Sequence, residues 1–209
     1  MMKKHAVYRI VHIAVLLLVI ALLSAAVFAC SVPRKTAVGH SYTLASASQY
    51  VPRDDDGDVK DIRVDVIAST RDKGSQAQRI ARSIEKSGIR ATYRAAKNAQ
   101  QQREQVRNAV NSYARLIVIP QDAFTQHSNT LWESELSYAR SKGVPVIINA
   151  SANMQLTDFN IPSQYWAAYW DVRASQSEAN TSIFEAVMCV VEDRPHNSTL
   201  LTHISAQEE

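Results

Sequence analysis

A chain of 209 residues has room for one ordinary domain and a targeting segment. Hydrophobic residues make up 46% and charged residues 21%, the balance of a globular protein, with much of the hydrophobicity in the first thirty residues. The net charge of +3 is scattered among carboxylates without a Lys/Arg stripe interleaved with aromatics, so no nucleic-acid partner is expected. Two cysteines, Cys30 and Cys189, cannot make a disulfide scaffold.

Lys3, Lys4 and Arg9 precede the run Val11 to Cys30, which is apolar apart from His12 and Ser24. About 20 apolar residues suffice to cross a bilayer as a helix. Positive charge ahead of such a run keeps the N-terminus in the cytoplasm and sends the remainder outward. The segment 1–30 is therefore expected to be a signal or membrane anchor. Three fates stay open: an uncleaved anchor, a cleaved secretory signal, or a lipoprotein signal. Val27-Phe28-Ala29-Cys30 is similar to a lipobox, although Phe28 is bulky, and makes Cys30 a candidate lipidation site. Each fate places the domain outside the cytoplasm, and the anchor, the expected fate, holds it at the cell membrane.

Residues 31–60, rich in Ser, Pro and Asp, read as a flexible linker. Within it, the DDDGD run at Asp54–Asp58 has its glycine in the wrong place for a calcium loop, and no bidentate Glu follows. A solvated acidic linker is expected, and no metal site.

From Asp61 to Arg194 a βα rhythm takes over. Ile62 to Ala68 is a β-branched run. Ala77, Ile80, Ala81 and Ile84 then line one helical face between Ser75 and Ser87, stopped by Gly88. Ile89 to Ala95 gives a second strand. Asn98 caps a helix whose inner stripe is Val106, Ala109, Val110 and Tyr113. Arg115 to Ile119 gives a third strand, Leu131 to Lys142 a helix ended by Gly143, and Val144 to Ile148 a fourth strand. A fifth strand falls near Tyr165 to Val172, and a last helix near Ser177 to Glu192. Residues 195–209 read as a disordered tail.

Strands separated by helices of this length pair in parallel, because each crossover must return over a face of the sheet. The expected fold is a three-layer α/β/α sandwich with a parallel five-stranded sheet in the order 2-1-3-4-5. Ligands of such sheets bind beyond the carboxyl ends of the strands. Those ends offer Ser69 and Thr70 after strand one, Gln121 and Asp122 after strand three, and Asn149, Ser151 and Asn153 after strand four. The last three form the densest polar cluster. The loop STRDKGS matches neither a Walker A loop nor a GxGxxG turn, so no cofactor is expected. No GxSxG elbow occurs, and His127, His196 and His203 lack metal-ligand spacing, so no catalytic residues are expected and the chain reads as a non-enzyme. Cys189, in an apolar helical pattern, reads as a small buried hydrophobe.

The order of RIARSIEKSGIRATY, RLIVIPQDA, SYARSKGVPVIINAS and YWAAYWDVRASQSEAN resembles the N-terminal lobe of type I periplasmic sugar-binding proteins. Arg115 to Pro120 stands where that family's third strand ends at the ligand cleft, and Gly143 to Ile147 where its fourth strand opens. The likeness covers about Ile62 to Val191. It implies capture of a sugar-like small molecule for an ABC-type importer, with a permease as partner, by a chain cut to one lobe of a two-lobe clamp. The family's Asp after strand four is absent, as is an aromatic residue between Ser69 and Ser75. The alternative is a membrane-anchored interaction or sensory module that keeps the fold, binds no small ligand and contacts a membrane protein.

Overall fold

The structure is a computed structural model that describes residues 58–71, 75–124, 129–150, 161–173 and 175–204. A 3-10 turn at Val59–Asp61 leads into β1 (Arg63–Ile67), α1 (Ser75–Lys86), β2 (Arg90–Arg94), α2 (Ala99–Asn111) and β3 (Leu116–Pro120). After a second 3-10 turn (Gln121–Ala123) come α3 (Asn129–Ser141) and β4 (Val146–Asn149). A third 3-10 turn (Ser163–Tyr165) precedes β5 (Ala168–Asp171), α4 (Ile183–Val191) and β6 (Thr199–Leu201). All six strands are parallel, in the order 2-1-3-4-5-6.

The central strands are buried because helices cover both faces. Every residue of β3 and β4 is buried, which is why neither strand alternates polar with apolar. On one face, Val64, Val66, Leu116, Val118, Ile147 and Trp170 meet the stripes of α1 and α4. On the other, Ile67, Ile117, Ile119 and Ile148 meet Val106 and Ala109 of α2 and Trp132 and Leu136 of α3. Helix ends follow their sequence signals. Asn98 accepts a hydrogen bond from the Gln101 N–H at 2.9 Å, capping α2. Gly88 takes φ +93° after α1, a left-handed value that a residue bearing Cβ adopts only under strain. There its N–H reaches Glu85 O at 2.9 Å and the Ile89 N–H reaches Ile84 O at 3.3 Å, closing the helix.

Four expectations are corrected. The sheet has six strands rather than five. The sixth comes from the segment expected to be a disordered tail: β6 pairs with β5, and the buried Thr202 accepts a hydrogen bond from the Trp170 indole at 2.9 Å. The last helix starts at Ile183, capped by Ser182, because Ser175 to Glu178 is taken up in a turn. Tyr113 leaves the inner stripe of α2. The helix ends at Asn111, and Tyr113 then turns to φ 62° with 88% of its surface exposed.

The β5–α4–β6 connection also has an unusual hand. From β1 the chain steps to β2 on one side by way of α1 on one face. It then steps from β2 to β3 and from β3 to β4 in the opposite direction, by way of α2 and α3 on the opposite face. Reversing both direction and face conserves handedness, so these crossovers share the right-handed sense favoured in about 98% of cases. From β5 to β6 the chain again steps away from β1, but α4 lies on the face of α1. That crossover is left-handed. Coverage explains it: α1 alone would leave Ile147, Ala168 and Trp170 bare on that face, and the apolar run Ala186–Val190 of α4 buries them. Burial at about 25 cal/mol per Å2 over several large side chains outweighs a preference of strand twist.

The expected tether, 1–30, and almost all of the expected linker, 31–60, lie outside the described residues. Among the described residues no helix is long and apolar enough to cross a membrane.

Candidate functional site

The sheet order reverses between β1 and β3, where the helices that follow depart to opposite faces and leave a crevice at the strand ends. Four buried polar residues gather there: Ser69, Gln121, Asp122 and Asn149. Buried polar groups cost free energy unless hydrogen-bonded, so their partners matter. The Ser69 hydroxyl donates to Asp122 Oδ2 at 2.5 Å and accepts from the Arg71 N–H at 3.0 Å. Arg71 Nε lies 4.0 Å from the same carboxylate. Tyr169 donates its hydroxyl to Gln121 Oε1 at 2.8 Å. The Asn149 amide donates to Ala150 O at 3.2 Å, a carbonyl that the Gln76 amide also reaches at 3.2 Å. Asn149 Oδ1 is buried and accepts no hydrogen bond among the described residues.

Ser69, Gln76, Pro120 and Asn149 line the crevice over an apolar floor of Val66, Ile80 and Val118. Its free volume, about 10 Å3, suits a single water. Gln76 and Ile80 also line a wider cleft of about 190 Å3, whose other walls are Arg79, Val172, Arg173 and Ile204. Arg173 is fixed there by Asp171: its Nε reaches Oδ1 and its Nη2 reaches Oδ2, both at 3.0 Å. Burial pushes the Asp171 carboxyl up, but the hydrogen bonds and charge of Arg173 outweigh it and hold the carboxyl below its usual range. A carboxyl lowered by folding stabilises the fold above its unfolded pKa and loses that contribution as pH falls through the folded value. The pair is thus intact at neutral pH.

Of the residues expected from sequence, Ser69 and Asn149 line the crevice, and Asp122 reaches it through the Ser69 hydroxyl. Gln121 packs behind it on Tyr169, and Thr70 is exposed at the rim. Ser151 and Asn153 lie outside the described residues, as does Cys30. Sequence reasoning missed Gln76, Arg79 and Arg173. The available signal was Gln76 preceding Ile80 by one helical turn, which sets an amide on the inner face of α1.

Elsewhere, Cys189 is buried in α4, and burial pushes its thiol up to about 12. It packs as a small apolar group. Among the described residues no cluster of His, Cys, Asp or Glu could hold a metal ion.

No family model matches the chain, and no curated protein matches it in sequence. Several solved structures are similar in fold. An ABC transporter solute-binding protein from Clostridium phytofermentans with bound β-D-glucose is 21% identical, with a TM-score of 0.40, over 53% of this chain and 32% of that one. A putative pilus assembly-related protein from Burkholderia pseudomallei is 13% identical, with a TM-score of 0.47, over 65% of this chain and 93% of that one. A response regulator receiver protein from Burkholderia phymatum is 16% identical, with a TM-score of 0.42, over 63% of this chain and 96% of that one. The chain spans about a third of the length of the solute-binding proteins it matches. Likeness of this extent does not reach function.

Proposed function

We propose that the chain is a membrane-anchored, extracytoplasmic binding lobe for a sugar-like solute, working with an ABC-type permease. The observation that carries this reading is Asn149 Oδ1, a buried acceptor without a donor among the described residues, on a residue that lines the crevice beside the joined Ser69 and Asp122. A buried acceptor of this kind is destabilising by about 1–3 kcal/mol until something donates to it. A ligand hydroxyl would donate to Asn149 and could accept from or donate to the Ser69–Asp122 pair. Closely spaced hydroxyls are what polyols offer. The anchor follows from the positive residues before the apolar run at 11–30.

The test is isothermal calorimetry on the full chain in detergent against a panel of monosaccharides. Saturable heat with at least one member, reduced by Asn149→Leu, is the expected result. A flat response across the panel would refute small-sugar capture.

A second reading is favoured by the narrowness of the crevice, which at about 10 Å3 takes one water and no sugar ring. Under it the chain is a membrane-anchored interaction module that contacts a membrane protein. It predicts co-purification of a membrane partner together with the flat calorimetric response.

A further inference from the structure

The two openings at the carboxyl edge differ in chemistry, yet they share a wall. The inner crevice presents hydrogen-bonding groups of Ser69 and Asn149, and the outer cleft presents the guanidinium groups of Arg79 and Arg173. Gln76 and Ile80 border both, so the two openings lie side by side along α1. Arg79 makes no ion pair or hydrogen bond among the described residues, whereas Arg173 is steadied by Asp171. Two guanidinium groups therefore border the outer cleft, one of them paired with Asp171. The first turn of α1 borders the cleft and carries no acidic residue, so the positive end of the helix dipole is not offset there. At about 190 Å3 the cleft has room for a carboxylate or phosphate group, but it falls short of the roughly 300 Å3 at which whole-ligand pockets begin. Asn149 Oδ1 in the adjoining crevice asks for a hydroxyl donor, which a bare anion does not bring.

We propose that the outer cleft receives the anionic group of the ligand while the inner crevice admits one of its hydroxyls, so that the solute is an anionic polyol, a sugar acid or sugar phosphate. This rests on the sugar-like reading of the crevice and narrows it to charged members. Arg79 and Arg173 bind the anion. Gln76, between the two openings, positions the carbon skeleton.

The test is calorimetry on the full chain in detergent with glucose, gluconate, glucose 6-phosphate and inorganic phosphate as probes. Gluconate or glucose 6-phosphate should bind about tenfold more tightly than glucose, the worth of a charge-assisted hydrogen bond. Which of the two gains more separates carboxylate from phosphate. Arg79→Ala should abolish the gain, Arg79→Lys should restore part of it, and Arg82→Ala, exposed on the same helix, should keep it in full. The melting temperature of each variant shows that it is folded. Equal binding of glucose and both charged sugars overturns the proposal, as does a gain that survives Arg79→Ala. Inorganic phosphate binding as tightly as glucose 6-phosphate overturns it too, because the cleft would then be a simple anion site. In all three cases glucose binding can stand, whereas silence from every sugar removes the underlying function as well.

Discussion

Two groups of buried polar side chains sit along β1 and the loop after it, and their partners are arranged differently. At mid-strand, Asp65 is fully buried, with Arg94 Nε at 3.1 Å and Arg63 Nη2 at 3.6 Å. Arg94 extends the group to Ser112 Oγ at 3.1 Å and Gln105 Oε1 at 3.5 Å, and Arg63 donates to Ser112 O, so the knot ties the end of α2 to the β1–β2 edge. Each charge there faces an opposite charge. Beyond the strand, Ser69 and Asp122 also pair, Arg71, 63% exposed, lies 4.0 Å from the carboxylate, and Asn149 Oδ1 accepts no hydrogen bond among the described residues. Opposite charges face one another around Asp65 even though Arg63 Nε, Asp65 Oδ1 and Arg94 Nε complete no hydrogen bond, and such a knot of charges holds the fold together. The uncharged acceptor of Asn149 adds no such tie.

The comparison breaks most visibly at Asp65. Asp65→Ala leaves Arg94 largely buried without its counter-charge, and should lower unfolding free energy by about 3–5 kcal/mol in urea titrations. A loss near zero would show that water already screens the knot. Thr202→Val tests a closed neutral pair at the other end of the sheet. It strands the Trp170 indole N–H, buried with no measurable exposure, and should cost about 1–2 kcal/mol. Slowed amide exchange in Thr199–Leu201 of the parent should be lost in the same variant, because this bond anchors β6.

What could be read in the sequence was what repeats. Ala77, Ile80, Ala81 and Ile84 repeat at helical spacing, and Leu116 to Ile119 is unbroken by polar residues, so the helices and central strands were legible. Tyr113 fits the same spacing yet points to solvent, because periodicity cannot see where a helix stops. The turn buries Ala114 in its place. β6 was illegible for two reasons. Three residues are too short for a period, and the left-handed crossover that brings them to β5 opposes the rule used to lay out parallel sheets. The strand-end rule led to Ser69, Gln121, Asp122 and Asn149, each close to its strand in the chain. It could not find the outer cleft, whose walls come from α1, the end of β5 and the residue Ile204 beyond β6. Only the folded sheet brings those segments together.

The smallest expected change is the most discriminating. Asn149→Leu replaces the amide by an apolar side chain of similar size at a position with 3% exposure. It loses the bond from Nδ2 to Ala150 O, but Gln76 still donates to that carbonyl at 3.2 Å. It also removes an acceptor that nothing satisfies. The two effects are opposite in sign and each about 1 kcal/mol, so stability should stay within about 1 kcal/mol of the parent. Saturable sugar heat should disappear at the same time. Stability kept and binding lost would set Asn149 apart from Asp65, whose loss should cost several times as much stability. A cost as large as that of Asp65→Ala would mean that Oδ1 has a structural partner, and the distinction between the charged knot and the crevice would not hold.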